Sequence, residues 1–182
     1  MVVAEPNQLV LVSGPSRGGK SRWAEHLISQ EPSVTYLATS ESRPNDHAWQ
    51  QRIDIHRQRR PEHWRLVECG ADLASALNQI DPEQSLLIDS LGGFVASNLE
   101  STDHEWTVIC ESLCNSLQRR NRPVVIVIEE TGWGVVPATA VGGLFRDRLG
   151  WLAQELERRS RQSWLVLQGR ALDLHRFGVK VP

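Results

Sequence analysis

Five short apolar runs alternate along the chain with segments whose apolar residues recur at helical spacing. The runs are Leu9–Ser13, Val34–Ala38, Ser85–Asp89, Pro123–Ile128 and Ser163–Gln168. The helical segments are about Lys20–Ser29, Asp46–Arg57, Ala71–Gln79, His104–Arg119 and Ala138–Arg159. Continuous apolar strands joined through helices are typical of a mostly parallel sheet with helices on both faces. The sequence therefore predicts an α/β fold, whose ligands bind at the carboxyl ends of the strands.

The composition predicts one globular domain over residues 1–182. The chain is 40% hydrophobic and 23% charged, which is enough apolar material for a substantial core. Its net charge of −2 gives little support to binding of nucleic acid. We expect no membrane span, because no apolar stretch approaches the ~20 residues that cross a bilayer. An odd number of cysteines without a signal-like start favours a reducing compartment, so a cytoplasmic location is expected.

Two of the three cysteines lie in the segment from residue 104 to 119. Cys110 and Cys114 share one apolar stripe with Trp106, Leu113 and Leu117, as expected for the buried face of a helix. A metal site is the alternative interpretation of the two thiols. No His or further Cys at ligand spacing accompanies them, so buried thiols are favoured. A similar stripe, with Val141 and Phe145 at its start, runs along the last helical segment.

The turn after the first apolar run matches the pattern G-x-x-x-x-G-K-[ST] at every fixed position. Its residues are Gly14, Pro15, Ser16, Arg17, Gly18, Gly19, Lys20 and Ser21. In such a loop the backbone N–H groups surround the β-phosphate of a nucleotide at a helix N-terminus. Lys20 is predicted to bridge the β- and γ-phosphates and Ser21 to ligate Mg²⁺. A glycine turn that only begins a helix is the alternative.

A P-loop needs a carboxylate on a neighbouring strand to support the bound metal ion, and Asp89 ends a buried apolar run. The alternative is an Asp that caps the next helix. Asp89 to Gly92 also fits the D-x-x-G of switch GTPases, but the chain lacks the [NT]-K-x-D motif that reads guanine in those proteins. The sequence therefore predicts a protein that binds Mg²⁺ and a nucleoside triphosphate, and disfavours a regulatory GTPase.

A second informative segment runs from Arg52 to Arg65 and contains five arginines. Such a cluster can neutralise a triphosphate, or it can be the solvated end of a helix. His56, within this segment, lies at helical spacing from Trp49 and Ile53 and can be an ordinary packed residue. A neutral imidazole can also attack phosphorus and store the transferred group as a phosphoramidate. The spacing leaves both interpretations of His56 open.

Taken together, these segments resemble the bifunctional adenosylcobinamide kinase/adenosylcobinamide-phosphate guanylyltransferase family of cobalamin biosynthesis. The matching segments, in family order from about Leu9 to Gln154, are LVSGPSRGGKSRWAE, VTYLAT, RIDIHRQRRPEHW, LLIDSL, EETGWGVVP and LFRDRLG. The resemblance implies a RecA-like P-loop fold and assembly as a homotrimer. It implies that ATP or GTP phosphorylates the aminopropanol arm of adenosylcobinamide, and that GMP from GTP is then joined to that phosphate through a guanylylated histidine, which is His56 here.

The resemblance also implies further site residues. With His56 and Lys20 as the catalytic pair, it adds to the nucleotide site Arg57, Arg60, Glu68, Asp89 and Glu130, with Arg59 as an unranked candidate. Arg146 and Asp147 also match a family motif, and they can belong to the active site, to a subunit contact or to a plain surface ion pair. A trimer would explain exposed tryptophans among Trp49, Trp64, Trp133 and Trp151.

Four positions depart from the pattern common in the family: Gly92, Glu129, Gly143 and Ala153. They leave the predicted catalytic residues unchanged but bring corrinoid binding and the balance of the two activities into question. The competing hypotheses are an enzyme that keeps only one of the two activities and a non-catalytic P-loop nucleotide sensor. An ATPase that acts on nucleic acid would need a basic groove, which the net charge does not support.

Overall fold

The computed structural model describes residues 3–5, 8–40 and 45–181, apart from the side chains of residues 48, 49, 52, 55 and 56. The strands are β1 (Leu9–Gly14), β2 (Val34–Ala38), β3 (Arg65–Glu68), β4 (Ser85–Asp89), β5 (Val124–Glu129), β6 (Gln162–Leu167) and β7 (Arg170–Asp173). The helices are α1 (Lys20–Ile28), α2 (His47–Arg59), α3 (Leu73–Gln79), α4 (Leu91–Ala96), α5 (Asp103–Gln118), α6 (Ala140–Glu157) and α7 (Leu174–Phe177).

The strands form one sheet in the order β3-β2-β4-β5-β1-β6-β7. All neighbours in this sheet pair parallel except β6 and β7, which form an antiparallel hairpin. The five apolar runs are the five inner strands, so the predicted mostly parallel sheet is confirmed. The two edge strands, β3 and β7, are short and largely exposed. They carried no continuous apolar run, which is why the sequence did not reveal them.

Apolar side chains cover both faces of the sheet. Alternate residues of β5 point to opposite faces, so Val124 and Ile126 join one core cluster while Val125 and Val127 join the other. Helices α3, α4, α5 and α6 pack in the first cluster, and α1 packs in the second. The prediction of helices on both faces is therefore confirmed.

The two longest helices bury the stripes that the sequence indicated, with one exception. In α5 both Cys110 and Cys114 are buried in the core cluster beside Trp106, as the packed-thiol interpretation requires. In α6 the stripe is buried at Leu149 and beyond, but Val141 is exposed. The expectation that Val141 belongs to the same buried face is wrong, because the first turn of α6 extends past the edge of the core. None of the described helices is long and apolar enough to cross a membrane.

Candidate active site

The P-loop connects β1 to α1 at the carboxyl edge of the sheet. Gly14 is the last residue of β1, Lys20 is the first residue of α1, and Gly19 precedes the helix with a φ of 109°. Lys20 is buried, with 8% of its surface exposed, and its Nζ donates a hydrogen bond of 2.8 Å to the carbonyl oxygen of Pro15. The lysine therefore folds back over its own loop, with its amino group inside the turn where phosphate oxygens would lie.

The β6–β7 hairpin supports the P-loop from one side. A Cβ atom on Gly14, whose φ is 147°, would lie 2.3 Å from the carbonyl oxygen of Val166 on β6, and a Cβ on Gly18 would lie 2.7 Å from the same oxygen. The N–H of Gly169, in the hairpin turn, donates a 3.0 Å hydrogen bond to the Gly18 carbonyl. Gly14 and Gly18 are thus required by contact with the hairpin, a reason that the sequence motif does not reveal.

Asp89 ends β4, at the same edge of the sheet, and the adjacent strand β2 carries Tyr36 two residues before Ala38, the register partner of Asp89. The Tyr36 hydroxyl donates a hydrogen bond of 2.9 Å to Oδ2 of Asp89. Burial, together with the negative charge of Asp89, raises the pKa of the Tyr36 phenol well above its usual range. The phenol therefore stays protonated and holds the carboxylate in one orientation.

Two arginines at the end of α2 contact the P-loop region. Arg59 forms an ion pair with Glu25 on α1, with 3.1 Å between Nη2 and Oε1. Burial raises the pKa of Glu25, and the hydrogen bond from Arg59 opposes that effect. The Arg60 guanidinium lies over the Tyr36 ring, 4.2 Å from its centroid. The C-terminal end of α2 is thus fastened to the P-loop helix and, through Tyr36, to the strand that bears Asp89.

Arg57, the third candidate arginine beside Arg59 and Arg60, faces solvent. Arg57 lies 3.6 Å from Asp54 on the same helix, and both side chains are exposed. The three arginines that the sequence left unranked therefore differ in their surroundings: Arg59 and Arg60 contact the predicted site, whereas Arg57 contacts its own helix.

His56 belongs to α2, three and four residues before Arg59 and Arg60. Its side chain, like that of Trp49, lies outside the described residues.

A second carboxylate, that of Glu129, contacts the turn that follows Asp89. Sequence analysis identified it only as a departure from the family pattern. Glu129 ends β5, and its Oε2 accepts a hydrogen bond of 2.9 Å from the N–H of Gly92, while its Oε1 accepts one from the Ser90 hydroxyl. Two of the four departures from the family pattern, Gly92 and Glu129, are therefore in direct contact.

The remaining predicted residues lie at different distances from the P-loop. Glu130 is adjacent, since its N–H donates a 2.9 Å hydrogen bond to the carbonyl oxygen of Gly14. Glu68 ends edge strand β3, which is four positions from β1 in the sheet, or about 19 Å at the usual strand spacing. Arg146 and Asp147 form a side-by-side ion pair of 3.7 Å on α6, with Asp147 exposed. The structure brings Glu130 to the loop and places Glu68 away from it.

The donor set fits Mg²⁺ better than a transition metal. The described residues contain no group of three or more His, Cys, Asp or Glu side chains that could enclose a metal ion. Mg²⁺ needs no such cage, because it keeps several waters and takes one or two protein oxygens together with phosphate oxygens. Ser21, in the first turn of α1, and Asp89, on β4, offer a hydroxyl and a carboxylate at the same edge of the sheet.

Sequence comparison identifies the family to which this arrangement belongs. A family model described as cobinamide kinase / cobinamide phosphate guanyltransferase matches residues 10–174. The chain belongs to this family. It is 35% identical to the bifunctional adenosylcobalamin biosynthesis protein CobU of Escherichia coli K12, over 95% of this chain and 99% of that protein. It is 32% identical to CobP of Pseudomonas aeruginosa, a protein of the same description, over 90% of this chain and 95% of that one.

Membership of the cobinamide kinase / cobinamide phosphate guanyltransferase family confirms the predicted enzyme class, a bifunctional kinase and guanylyltransferase. The fold is shared more widely. An ATPase from the type III secretion system of pathogenic bacteria superposes with a TM-score of 0.61 at 11% identity, covering 99% of this chain and 65% of that one. At this identity the likeness concerns the fold alone, and it confirms the predicted P-loop α/β class.

Three residues of the site escaped sequence analysis: Tyr36, Glu25 and Ser90. The only signal was at Tyr36, the single tyrosine of the chain, because a tyrosine in a buried strand usually needs a partner for its hydroxyl. Glu25 and Ser90 carry no such signal, since their contacts depend on which helices and strands become neighbours.

Proposed function

We propose that the chain phosphorylates adenosylcobinamide with a nucleoside triphosphate and then transfers GMP from GTP to the product through a guanylylated His56. In the first step the terminal hydroxyl of the aminopropanol arm attacks the γ-phosphorus, and its proton passes to the solvent. The bond between that phosphorus and the bridging oxygen breaks, and the nucleoside diphosphate leaves. The product is adenosylcobinamide phosphate.

The second reaction takes place in two displacements. A neutral His56 nitrogen attacks the α-phosphorus of GTP, the α–β bridging bond breaks, and pyrophosphate leaves. A phosphate oxygen of adenosylcobinamide phosphate then attacks the same phosphorus. The P–N bond breaks, the histidine regains its lone pair, and adenosylcobinamide-GDP is formed.

One observation carries this proposal: the helix that bears His56 ends at two arginines, one of which pairs with the P-loop helix while the other lies over Tyr36 on β2. Arg59 contacts Glu25 on the P-loop helix, and Arg60 lies over Tyr36, which in turn holds Asp89. Positions three residues apart share one side of a helix, so position 56 lies on the same side of α2 as Arg59, which pairs with the P-loop helix. This arrangement supports a histidine that reaches a nucleotide bound in the loop.

The charged groups of the site have complementary roles in the proposal. Lys20 would release the Pro15 carbonyl and neutralise the β- and γ-phosphates, and Arg60 and Glu130 would contact the nucleotide. Ser21 and Asp89 would hold Mg²⁺, which, when bound, offsets the charge that develops on the phosphate oxygens. Both reactions rely on positioning and charge neutralisation more than on acid–base chemistry.

The decisive experiment is the intact mass of the protein after incubation with GTP and Mg²⁺, beside His56→Ala and a matched control, His47→Ala. His47 begins the same helix and is exposed. We expect the wild type and His47→Ala to gain one acid-labile GMP, and His56→Ala to gain none. If no protein gains mass while all bind GTP, the guanylyl-histidine is wrong, and the alternatives are a kinase without the second activity or a nucleotide sensor. Phosphorylation of adenosylcobinamide distinguishes these two.

We also propose that the chain is a single domain that assembles as a homotrimer. The common sheet of all seven described strands supports one domain. Trp133 and Trp151 are 59% and 45% exposed, which supports burial of these side chains between subunits. Trp64 is buried in the core and does not contribute. Sedimentation equilibrium should report three chains, and Trp133→Ser should shift the distribution toward monomer. A monomeric wild type would exclude the trimer. The cytoplasmic location remains a prediction.

A further inference from the structure

Glu129 occupies the strand end between the P-loop and Asp89. Strand β5 lies between β4 and β1 in the sheet. Glu129 pairs in register with Gly14, the first residue of the P-loop. On the other side, Asp89 pairs with Val127, so Glu129 extends two residues beyond it along the same edge. The carboxylate is thus in the crevice where a nucleotide and its metal ion are proposed to bind.

The Glu129 carboxylate accepts hydrogen bonds from the turn that follows Asp89. One carboxylate oxygen accepts from the Ser90 hydroxyl and the other accepts from the Gly92 N–H at 2.9 Å. From the opposite side the Thr39 hydroxyl accepts from the Ser90 N–H at 3.2 Å and donates to the Ser90 carbonyl oxygen. The residue directly after Asp89 is therefore held on two sides, by Thr39, which follows β2, and by Glu129, the last residue of β5.

Gly92 makes room for this carboxylate. A Cβ atom at position 92 would lie 2.5 Å from Oε2 of Glu129 and 2.8 Å from its Cδ. Gly92 lies within helix α4 and has no positive φ, so its backbone does not itself need glycine. Alanine is the better helix former. The absence of a side chain at position 92 is explained by the Glu129 contact and not by the conformation of the turn.

We propose that Glu129 is a positioning residue for the metal-binding carboxylate, Asp89. Its two hydrogen bonds clamp the turn Ser90–Gly92 and thereby orient Asp89 toward the P-loop. Glycine at position 92 leaves the space that the Glu129 side chain needs for this clamp. A carboxylate that accepts two hydrogen bonds has lone pairs left for a metal-bound water. Removing its charge weakens both hydrogen bonds, because those to an ionised acceptor are the stronger kind. Asp89 would then sample more orientations, and Mg²⁺ binding would weaken before the fold does.

The first test is a double-mutant cycle on unfolding, which needs no ligand. Gly92→Ala should lower the urea midpoint of the otherwise wild-type chain, because the new methyl group meets the carboxylate. In the Glu129→Asn background, where the side chain is one methylene shorter, the same substitution should leave the midpoint unchanged or raise it. If Gly92→Ala lowers the urea midpoint equally in both backgrounds, the proposed clamp is overturned, because position 92 then needs glycine for a reason other than Glu129.

The second test measures the Mg²⁺-dependent part of nucleotide binding by calorimetry. The probe is guanosine 5′-(α,β-methylene)triphosphate, which cannot guanylylate the protein, titrated once with Mg²⁺ and once with EDTA. Glu129→Gln keeps the size of the side chain. We expect the factor by which Mg²⁺ raises nucleotide affinity to be about threefold or more smaller in this variant than in the wild type. Affinity in EDTA and the urea midpoint should change much less. Glu83→Gln, the same charge removal at an exposed residue before β4, should behave as the wild type.

This inference rests on the proposed role of Asp89, and the two tests separate their failures. If the wild type shows no Mg²⁺-dependent gain in affinity, the metal site and the positioning role are both overturned. If the wild type shows the gain and Glu129→Gln retains it fully, only the positioning role is overturned. A loss in Glu129→Gln that appears equally in EDTA would assign Glu129 to the structure of the crevice and not to the metal.

Discussion

The hydroxyl of Tyr36 donates a hydrogen bond of 2.9 Å to Oδ2 of Asp89. The two residues lie on adjacent parallel strands, β2 and β4. Tyr36 is 6% exposed, so water cannot replace the phenol as a donor. The same ring carries the Arg60 guanidinium on its face. Tyr36 therefore joins the proposed metal-binding carboxylate to the arginine-rich end of α2.

Tyr36→Phe removes only the hydroxyl and keeps the ring under Arg60. We expect it to destabilise the protein by about 1–3 kcal/mol, the usual range for a buried hydrogen bond to a charged acceptor. Mg²⁺-dependent nucleotide binding should weaken several-fold, because Asp89 loses its fixed orientation. Urea denaturation and calorimetry with and without EDTA would measure the two effects. Unchanged stability and unchanged Mg²⁺ dependence would show that the phenol does not hold the carboxylate.

Arg59→Ala tests the attachment of α2 to the P-loop helix. The Arg59–Glu25 pair is partly exposed, so its contribution is about 1 kcal/mol or less after solvent screening. We expect guanylylation by GTP to slow up to about fivefold, with nucleotide binding at the P-loop retained. Glu25→Gln should have a similar effect, and the double variant should be little worse than either one. Arg158→Ala, which breaks a partly exposed pair with Glu155 on α6, is the matched control and should not slow the reaction.

Two glycine substitutions should have opposite effects on stability. Gly14→Ala places a methyl group 2.3 Å from the Val166 carbonyl oxygen at a φ of 147°, and we expect a loss of about 1–3 kcal/mol together with weaker nucleotide binding. Gly150→Ala lies within α6 with no atom within 4 Å of the new Cβ. It should stabilise the helix by about 0.5–1 kcal/mol. A urea midpoint for Gly14→Ala at or above that of the wild type would contradict the contact between β6 and the P-loop.

The cysteines should be unreactive in the folded protein. Burial raises the pKa of Cys69 to about 11 and that of Cys110 to about 12, and it raises that of Cys114 as well. The folded state thus favours the neutral thiols, an effect fully present below their ordinary pKa and lost as the pH rises through the raised values. At pH 8 the thiolate fraction of Cys69 is on the order of one in a thousand.

Iodoacetamide labelling at pH 8, read by peptide mass, measures this protection. We expect slow modification of all three cysteines in the native protein and fast modification in urea. Rapid labelling of Cys110 or Cys114 in the native protein would contradict their burial on the core-facing side of α5.

The elements that depend on local pattern were predictable from the sequence. Lys20 follows a glycine loop between an apolar strand and a helix, and the motif alone predicted its contact with phosphate. The five inner strands were predicted because each is a continuous apolar run. Edge strands β3 and β7 were missed, since their exposed residues break that pattern. Helix α4 was missed because it is short and contains Gly92 and Gly93, which are poor helix formers.

What the sequence determined by itself is the P-loop, the alternation of the five inner strands with five of the helices, and the family; what only the tertiary structure decided is which side chains meet at the carboxyl edge. Tyr36 reaches Asp89 across 53 residues, and Glu129 reaches Gly92 across 37. Such contacts depend on strand order and register, which bring distant positions to one edge of a sheet. Helical and strand periodicity report the face on which a residue lies, but not the neighbour that it meets there.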